Sequence, residues 1–198
     1  MTRLAGPAGR STERPGPQPV LTDGVVLLRT HNDADLDAVV TACSDPLTQR
    51  WTSVPAPYRH EDAESFVCEF APAQWRTGAG LVWAFCGTDD AYAGAMDLRL
   101  SRTDPGRANV GFHCSPWARG RGWTAAALRL ACRWGFDTLG LARIEWYAYA
   151  GNEASRRVAE KAGFVFEGIQ RSRLLQRGER RDAWVASLLP GDLDSAPH

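Results

Sequence analysis

Lysine is almost missing from this sequence: of 23 Lys and Arg residues, Lys161 alone is lysine. Genome composition can produce such a bias, so it excludes no function. Net charge is missing as well, since 23 acidic residues balance the cations and the pI is about 6.9. No overall field therefore draws the chain to nucleic acid or to an acidic membrane. No apolar run approaches the ~20 residues that span a bilayer. The N-terminal arginines are not followed by the apolar stretch of a signal peptide. Cys43, Cys68, Cys86, Cys114 and Cys132 are odd in number, scattered, and form no C-x-x-C pair. That pattern argues against a disulfide framework or a metal site and for reduced thiols. The expected setting is cytoplasmic, with no membrane or nucleic-acid partner.

What is present belongs to an ordinary globular chain, 44% apolar and 23% charged over 198 residues. Residues 1–19, rich in Pro, Gly and Arg, are expected to be a disordered tail. Residues 20–192 read as one domain and 193–198 as a loose end. The run "GVVLLRT" suggests a buried strand, and "NDADLDAVVTACSD" a helix capped at Asn32 or Asp33. Pro46, Pro55 and Pro57 suggest a loop carrying Trp51 and Tyr58. Residues 60–78 return to helical spacing, with Ala63, Phe66, Val67 and Phe70 on one stripe. Then "GLVWAFCG", "YAGAMDLRLS" and "ANVGFHCS" read as strands, Thr124 to Asp137 as helix, and "LARIEWYAYA" as strand. A helix from Asn152 to Ala162 stops at Gly163, and "FVFEGIQ", "RSRLLQ" and "RDAWVASLL" close the domain as strands. Interleaved strands and helices with hairpins imply an α/β chain with a mixed sheet.

The stretch "PWARGRGWTAAALRLACRWGF" concentrates the chemistry. A strand, a tight glycine turn and a helix start make an anion site, because the first helical N–H groups lack partners and the helix dipole is positive there. Gly120 and Gly122 let the backbone wrap a diphosphate, and Arg119 and Arg121 offer charge-assisted contacts. Taken alone, this is also what a helix-capping turn with solvated arginines looks like.

Downstream, "RIEWYAYAGNEASRRVAEKAGFVFEG" adds a strand, Asn152-x-x-Ser155, a short amphipathic helix and Gly163-Phe164. Together the two segments resemble the GNAT superfamily of acyl-CoA-dependent N-acyltransferases, in the branch of the bacterial ribosomal-protein N-terminal acetyltransferases. The resemblance spans Leu21 to about Leu189. It implies a bent, mostly antiparallel sheet of about seven strands, flanked by helices and split into a V between residues 110–115 and 144–150. It implies acetyl-CoA, or another short acyl-CoA, as co-substrate and an amine as acceptor. The pantetheine arm would pair with backbone near Phe112, His113 and Cys114. The pyrophosphate would rest on Arg119, Gly120, Arg121, Gly122, Trp123 and Thr124, with Asn152 and Ser155 opposite. A homodimer follows from family habit. Where the family carries Gln or Arg before the glycines this chain has Trp117; where it carries Glu in the first helical turn it has Ala126. Asn109 stands where the family's frequent candidate base, a glutamate, is found.

For direct attack by a neutral amine on a thioester, Ser155 is the acid expected from the resemblance. Its hydroxyl equally suits local helix capping. Asp97 is the first candidate base, equally readable as a solvated strand residue. Tyr149, with Tyr147, is an alternative donor at the split. His113 titrates in the useful range, although a strand histidine commonly packs, and Cys114 lacks a base partner. Arg99, Arg102 and Arg107 suggest a carboxylated acyl chain such as succinyl as an alternative to acetyl. Rival readings are a CoA-binding sensor without turnover, an acetyltransferase of antibiotics or polyamines, a dinucleotide oxidoreductase and a nucleic-acid module. The oxidoreductase expects its glycines after the first strand. The nucleic-acid module expects a basic surplus.

Overall fold

A computed structural model describes residues 16–195. Eight strands form one sheet: β1 (Leu21–Thr22), β2 (Leu27–Arg29), β3 (Gly80–Cys86), β4 (Tyr92–Leu100), β5 (Arg107–Cys114), β6 (Arg143–Tyr149), β7 (Val165–Gln176) and β8 (Glu179–Leu188). Their spatial order is β1-β2-β3-β4-β5-β6-β8-β7, antiparallel throughout except for the parallel β5–β6 pair. β3 is apolar along its length and every residue of it is buried, as expected of a central strand covered on both faces.

The helices are α1 (Leu36–Ser44), α2 (Pro46–Trp51), α3 (His60–Glu64), α4 (Ala71–Arg76), α5 (Trp123–Leu139), α6 (Glu153–Lys161) and α7 (Pro190–Ser195). The alanines of α5 allow close approach to the sheet: Ala127, Leu128 and Ala131 are fully buried in one core with Trp83, Met96, Leu98 and Ile144. The opposite face of β3–β4 packs Ala84 and Tyr92 against Val39 and Ala42 of α1 and Ala63 of α3. Between α3 and α4 the helix widens over Ser65–Phe70, where the Ala71 N–H reaches back to the Phe66 carbonyl. Among the described residues no helix is long and apolar enough to cross a membrane.

Parallel pairing of β5 with β6 runs only from Arg107↔Arg143 to Val110↔Trp146. Beyond that point β5 stays on β4 as far as Gly94↔Cys114, while β6 stays on β8 as far as Tyr149↔Ala183. The sheet therefore opens into a V after Val110 and Trp146.

Several expectations need correction. The eighth strand arises because Leu21–Thr22 pairs with Leu27 and Leu28. Residues 46–51 are helical rather than loop, since Pro46 occupies the first turn and the Asp45 carboxylate accepts from the Thr48 N–H. "FVFEGIQ" and "RSRLLQ" are one strand with two register breaks, one of them at Ser172 with φ 53°. Residues 193–195, expected to be loose, belong to α7, and Leu193 is buried in the core. Of the expected N-terminal tail, 1–15 lie outside the described residues and 16–19 are pinned to the sheet. The Gln18 amide donates to the Val82 carbonyl, and the Trp83 indole donates to the Pro19 carbonyl.

Candidate active site

The cleft begins at the turn into α5. Gly120 and Gly122 have φ of 78° and 79°, a left-handed backbone that side-chain-bearing residues avoid. A Cβ built on either would meet no atom within 4 Å, so open space rather than packing surrounds them. The Arg119 N–H turns back to the Pro116 carbonyl, and those of Ala125 and Ala126 to the Gly122 carbonyl. Among the described residues nothing accepts the N–H groups of Gly120, Arg121, Gly122, Trp123 or Thr124. Five consecutive donors are thus presented at a helix start. Gly120, Gly122 and Thr124 line a cavity of about 950 Å3 that fills the V.

The side chains of this turn do less than expected. Arg119 lines the cavity but pairs with Asp45 at 2.5 Å, beside Thr48, so it ties the turn to α2. Arg121 lies over the Trp123 ring at 4.8 Å, and that ring packs onto Gly87, where an added Cβ would stand 2.5 Å from it. Neither Arg121 nor Trp123, both expected at the donor, lines the cavity.

Along the V, β5 beyond Val110 has no β6 partner, so alternate backbone groups of residues 111–114 point into the opening. Phe112 and Cys114 line it from the α5 side. Burial pushes the Cys114 thiol up, and the Thr124 hydroxyl sits against it. A protonated thiol at neutral pH is a poor nucleophile. His113 lies on the other face of β5 and also borders the cavity. Its Nε2 lies 3.0 Å from the Tyr92 hydroxyl, and burial holds the ring down at about 4, so it is a neutral packed histidine.

Asn152 caps α6, its Oδ1 accepting from the Ser155 N–H at 3.2 Å. Ser155 lies at the cavity wall, and its Oγ accepts from the buried Trp146 indole N–H at 3.2 Å. A hydroxyl that receives a donor still has its own proton to give. Sequence reading did not find this partner. Inward alternation of Trp146 on β6 was the available signal.

On the opposite face, Asp97 sits across from Gly111 in the β4–β5 register. A Cβ at Gly111 would stand 2.8 Å from Asp97 Oδ2 and from Arg99 Nη2, so the glycine makes room for both groups. Arg99 Nε is 2.9 Å from Asp97 Oδ1 as an ion pair, and the carboxylate side chain keeps 29% of its surface open. Burial raises the Asp97 carboxyl above its ordinary range; Arg99 and the Gly111 backbone oppose that without reversing it. Tyr149 donates its proton to the Leu175 carbonyl at 3.3 Å, and Tyr147 to Glu145 at 3.1 Å. Both line the cleft with their hydroxyls hydrogen-bonded in this way. Asn109 lies beside Glu145 in register, and Glu145 is taken up by Arg107 and Arg143.

The far wall comes from α2, the following segment and the tip of the β7–β8 hairpin. Gln176 donates to the carbonyls of Arg50 and Thr52, and Arg177 to those of Gln49 and Val54. Trp51 and Tyr58 line the cavity there.

Comparison with known proteins gives consistent results. A family model described as an acetyltransferase (GNAT) domain matches residues 26–165. The uncharacterized N-acetyltransferase YoaA of Bacillus subtilis is 27% identical over 172 residues, covering 86% of this chain and 97% of its own. Among solved structures, Mycobacterium smegmatis RimJ in complex with CoA-disulfide superposes with a TM-score of 0.75 at 22% identity, over 89% of this chain and 88% of its own. The ribosomal-protein-S5-alanine acetyltransferase of Vibrio fischeri does so with a TM-score of 0.73 at 17% identity, over 89% and 99%. At these identities the structural likeness speaks for the fold.

Proposed function

The chain belongs to the GNAT acetyltransferase family, and from that premise we propose that it transfers an acetyl group from acetyl-CoA to the α-amine of a protein N-terminus. One observation carries the donor side: the amides of Gly120 to Thr124 are unpaired, and Gly120, Gly122 and Thr124 among them line the V beside two left-handed glycine turns. That cradle suits a diphosphate, and the unpaired edge of β5 suits an amide-bearing arm. When bound, the donor supplies an activated acyl thioester. Attack by the amine nitrogen forms the amide bond and releases the thiol.

The chain's own groups manage position and protons. Asp97, raised by burial and open to the cleft, takes a proton from the amine. Ser155, held by the Trp146 indole, donates its proton toward the departing sulfur. Arg99 and Arg107 are engaged with Asp97 and Glu145, which favours acetyl over a carboxylated acyl chain. Two things support an α-amine. The structural neighbours include a ribosomal-protein-alanine acetyltransferase, and an α-amine loses its proton more readily. Its pKa is about 7.7–8.0 against about 10.4 for lysine, a difference of roughly 3.5 kcal/mol.

Thiol release from acetyl-CoA, measured with matched peptides carrying either a free α-amine or only a lysine ε-amine, tests the reading. Turnover at least tenfold faster on the α-amine peptide is expected. A strong lysine preference overturns the acceptor assignment. Binding of acetyl-CoA without turnover on any amine indicates a sensor instead.

A further inference from the structure

The half of the cavity that holds Asp97 has a chemistry of its own. Asp97 pairs with Val82 in register, so it shares a sheet face with Ala84, the face that packs against α1 and α3. On that side the cavity is walled by Leu47, Trp51, Val54, Tyr58, Phe66 and Phe70. Leu47 and Phe70 are each 50% exposed. Single exposed apolar residues are ordinary, but two on one cavity wall, beside four more apolar or aromatic side chains, mark a binding patch. Phe66 and Phe70 belong to the stripe read from sequence as the inward face of a helix. Ala63 and Val67 of that stripe are buried, whereas Phe66 is partly open and Phe70 half open. Here the helix widens over Ser65–Phe70, a distortion that recurs at functional sites, and the two rings stack at 6.0 Å with 22° between their planes.

Charge is the second observation. Among the described residues, the charged side chains lining this half are Asp97 and Arg99, and they pair with one another. His113, on the same face, is neutral and bonded to Tyr92. A charged side chain entering this half would lose water and find no free counter-charge.

We propose that this wall is a specificity pocket for the acceptor's first residue, and that it selects a peptide beginning with a large apolar or aromatic side chain. The proposal rests on the N-terminal acetyl-transfer reading above. With the α-amine at Asp97, the first side chain is one carbon away from the reacting nitrogen and falls within the same half of the cavity. Leu47 and Phe70 are then the residues that it covers.

The test uses lysine-free peptides identical except for the first residue, which is Phe, Leu, Ala, Glu or Arg, with phenethylamine as a small-molecule comparison. Thiol release from acetyl-CoA gives kcat/KM, and equilibrium binding of the same peptides to the CoA-loaded protein gives a readout independent of turnover. The Phe and Leu peptides are expected to exceed the Ala peptide at least tenfold, as extra apolar atoms in a hydrophobic pocket warrant. The Glu and Arg peptides fall below it. F70A brings the Phe peptide close to the Ala peptide and leaves acetyl-CoA affinity unchanged. F70R raises the Glu peptide relative to the Phe peptide by about tenfold, through a lost apolar contact and a gained charge pair. A merely structural role of Phe70 would not produce that exchange, and an unchanged melting temperature shows that the fold is intact. An Ala peptide that equals the Phe and Leu peptides overturns the pocket and leaves N-terminal transfer standing. Faster turnover of phenethylamine than of the Phe peptide overturns the peptide as occupant. Peptides that bind in the expected order without turnover overturn the transfer reading and keep the pocket; peptides that neither bind nor react overturn both.

Discussion

Ser155 can be read as a capped helix residue or as a catalytic acid, and the structure shows why the two are compatible. Its N–H serves the Asn152 cap while its Oγ receives the Trp146 indole, so the hydroxyl proton is uncommitted. S155A should lower kcat by about a hundredfold and leave the KM for acetyl-CoA nearly unchanged, the mark of a group that acts on the leaving sulfur. For Asp97 the prediction is a pH profile. A base must be ionised, and burial raises this carboxyl. The acidic limb of kcat/KM should therefore lie above the ~3.9 of an ordinary aspartate. D97N should remove that limb and cost about a hundredfold or more. The positions of Ser155 and Asp97 were legible in the sequence; their partners were not. Trp146, Arg99 and Gly111 meet these residues through strand register, which a one-dimensional pattern does not encode.

At the scale of elements, the start of α5 and the hairpin clasp carry the argument. An alanine at Gly122 would meet no neighbour, so its cost is the left-handed backbone itself, about 1–2 kcal/mol. G122A should lower Tm by about 2–8 °C for a chain of this size and should weaken acetyl-CoA binding. Loss of stability with affinity intact would separate the turn from the donor. The clasp predicts a different pattern. Removing the Gln176 and Arg177 side chains frees the carbonyls of 49, 50, 52 and 54. Amide exchange over 49–58 should then speed up and the KM for the acceptor rise, with donor affinity unchanged. The glycine pair and α5 were readable from spacing. The short helix at Pro46–Trp51 was not, because the same proline that breaks a helix interior is favoured in its first turn.

Across the whole molecule, two buried histidines shape the response to acid. Burial holds His31 and His113 at about 4, against an ordinary ~6.5. Between those values the unfolded chain binds protons that the folded chain refuses, so stability rises with pH across that window and levels off above it. Asp35 and Glu167 are held below their ordinary range, Asp35 by Arg29 and Asn32 against its burial and Glu167 chiefly by Arg143. Their contribution is present above the unfolded carboxylate pKa and is lost only at more acidic pH. Asp97, raised, works in the opposite sense. Urea midpoints should therefore already fall between pH 6.5 and 5, and H31F should flatten that slope. A midpoint constant down to pH 4.5 would contradict it. At this scale the mixed sheet and the V were expected from the sequence, because the strand runs and the two motifs were strong. At the domain's edges, residues 16–19 and 193–195 belong to the packed structure where loose chain was expected, because Gln18 and Leu193 are single anchoring residues in stretches that otherwise have little to bury.

The most direct measurement is a 1H–15N titration of the labelled protein with CoA and, separately, with pantetheine, which lacks the diphosphate. The amide signals of Gly120, Arg121, Gly122, Trp123 and Thr124 should move as a group with CoA and stay nearly still with pantetheine. Binding of CoA that leaves those five signals in place would contradict the account at its root.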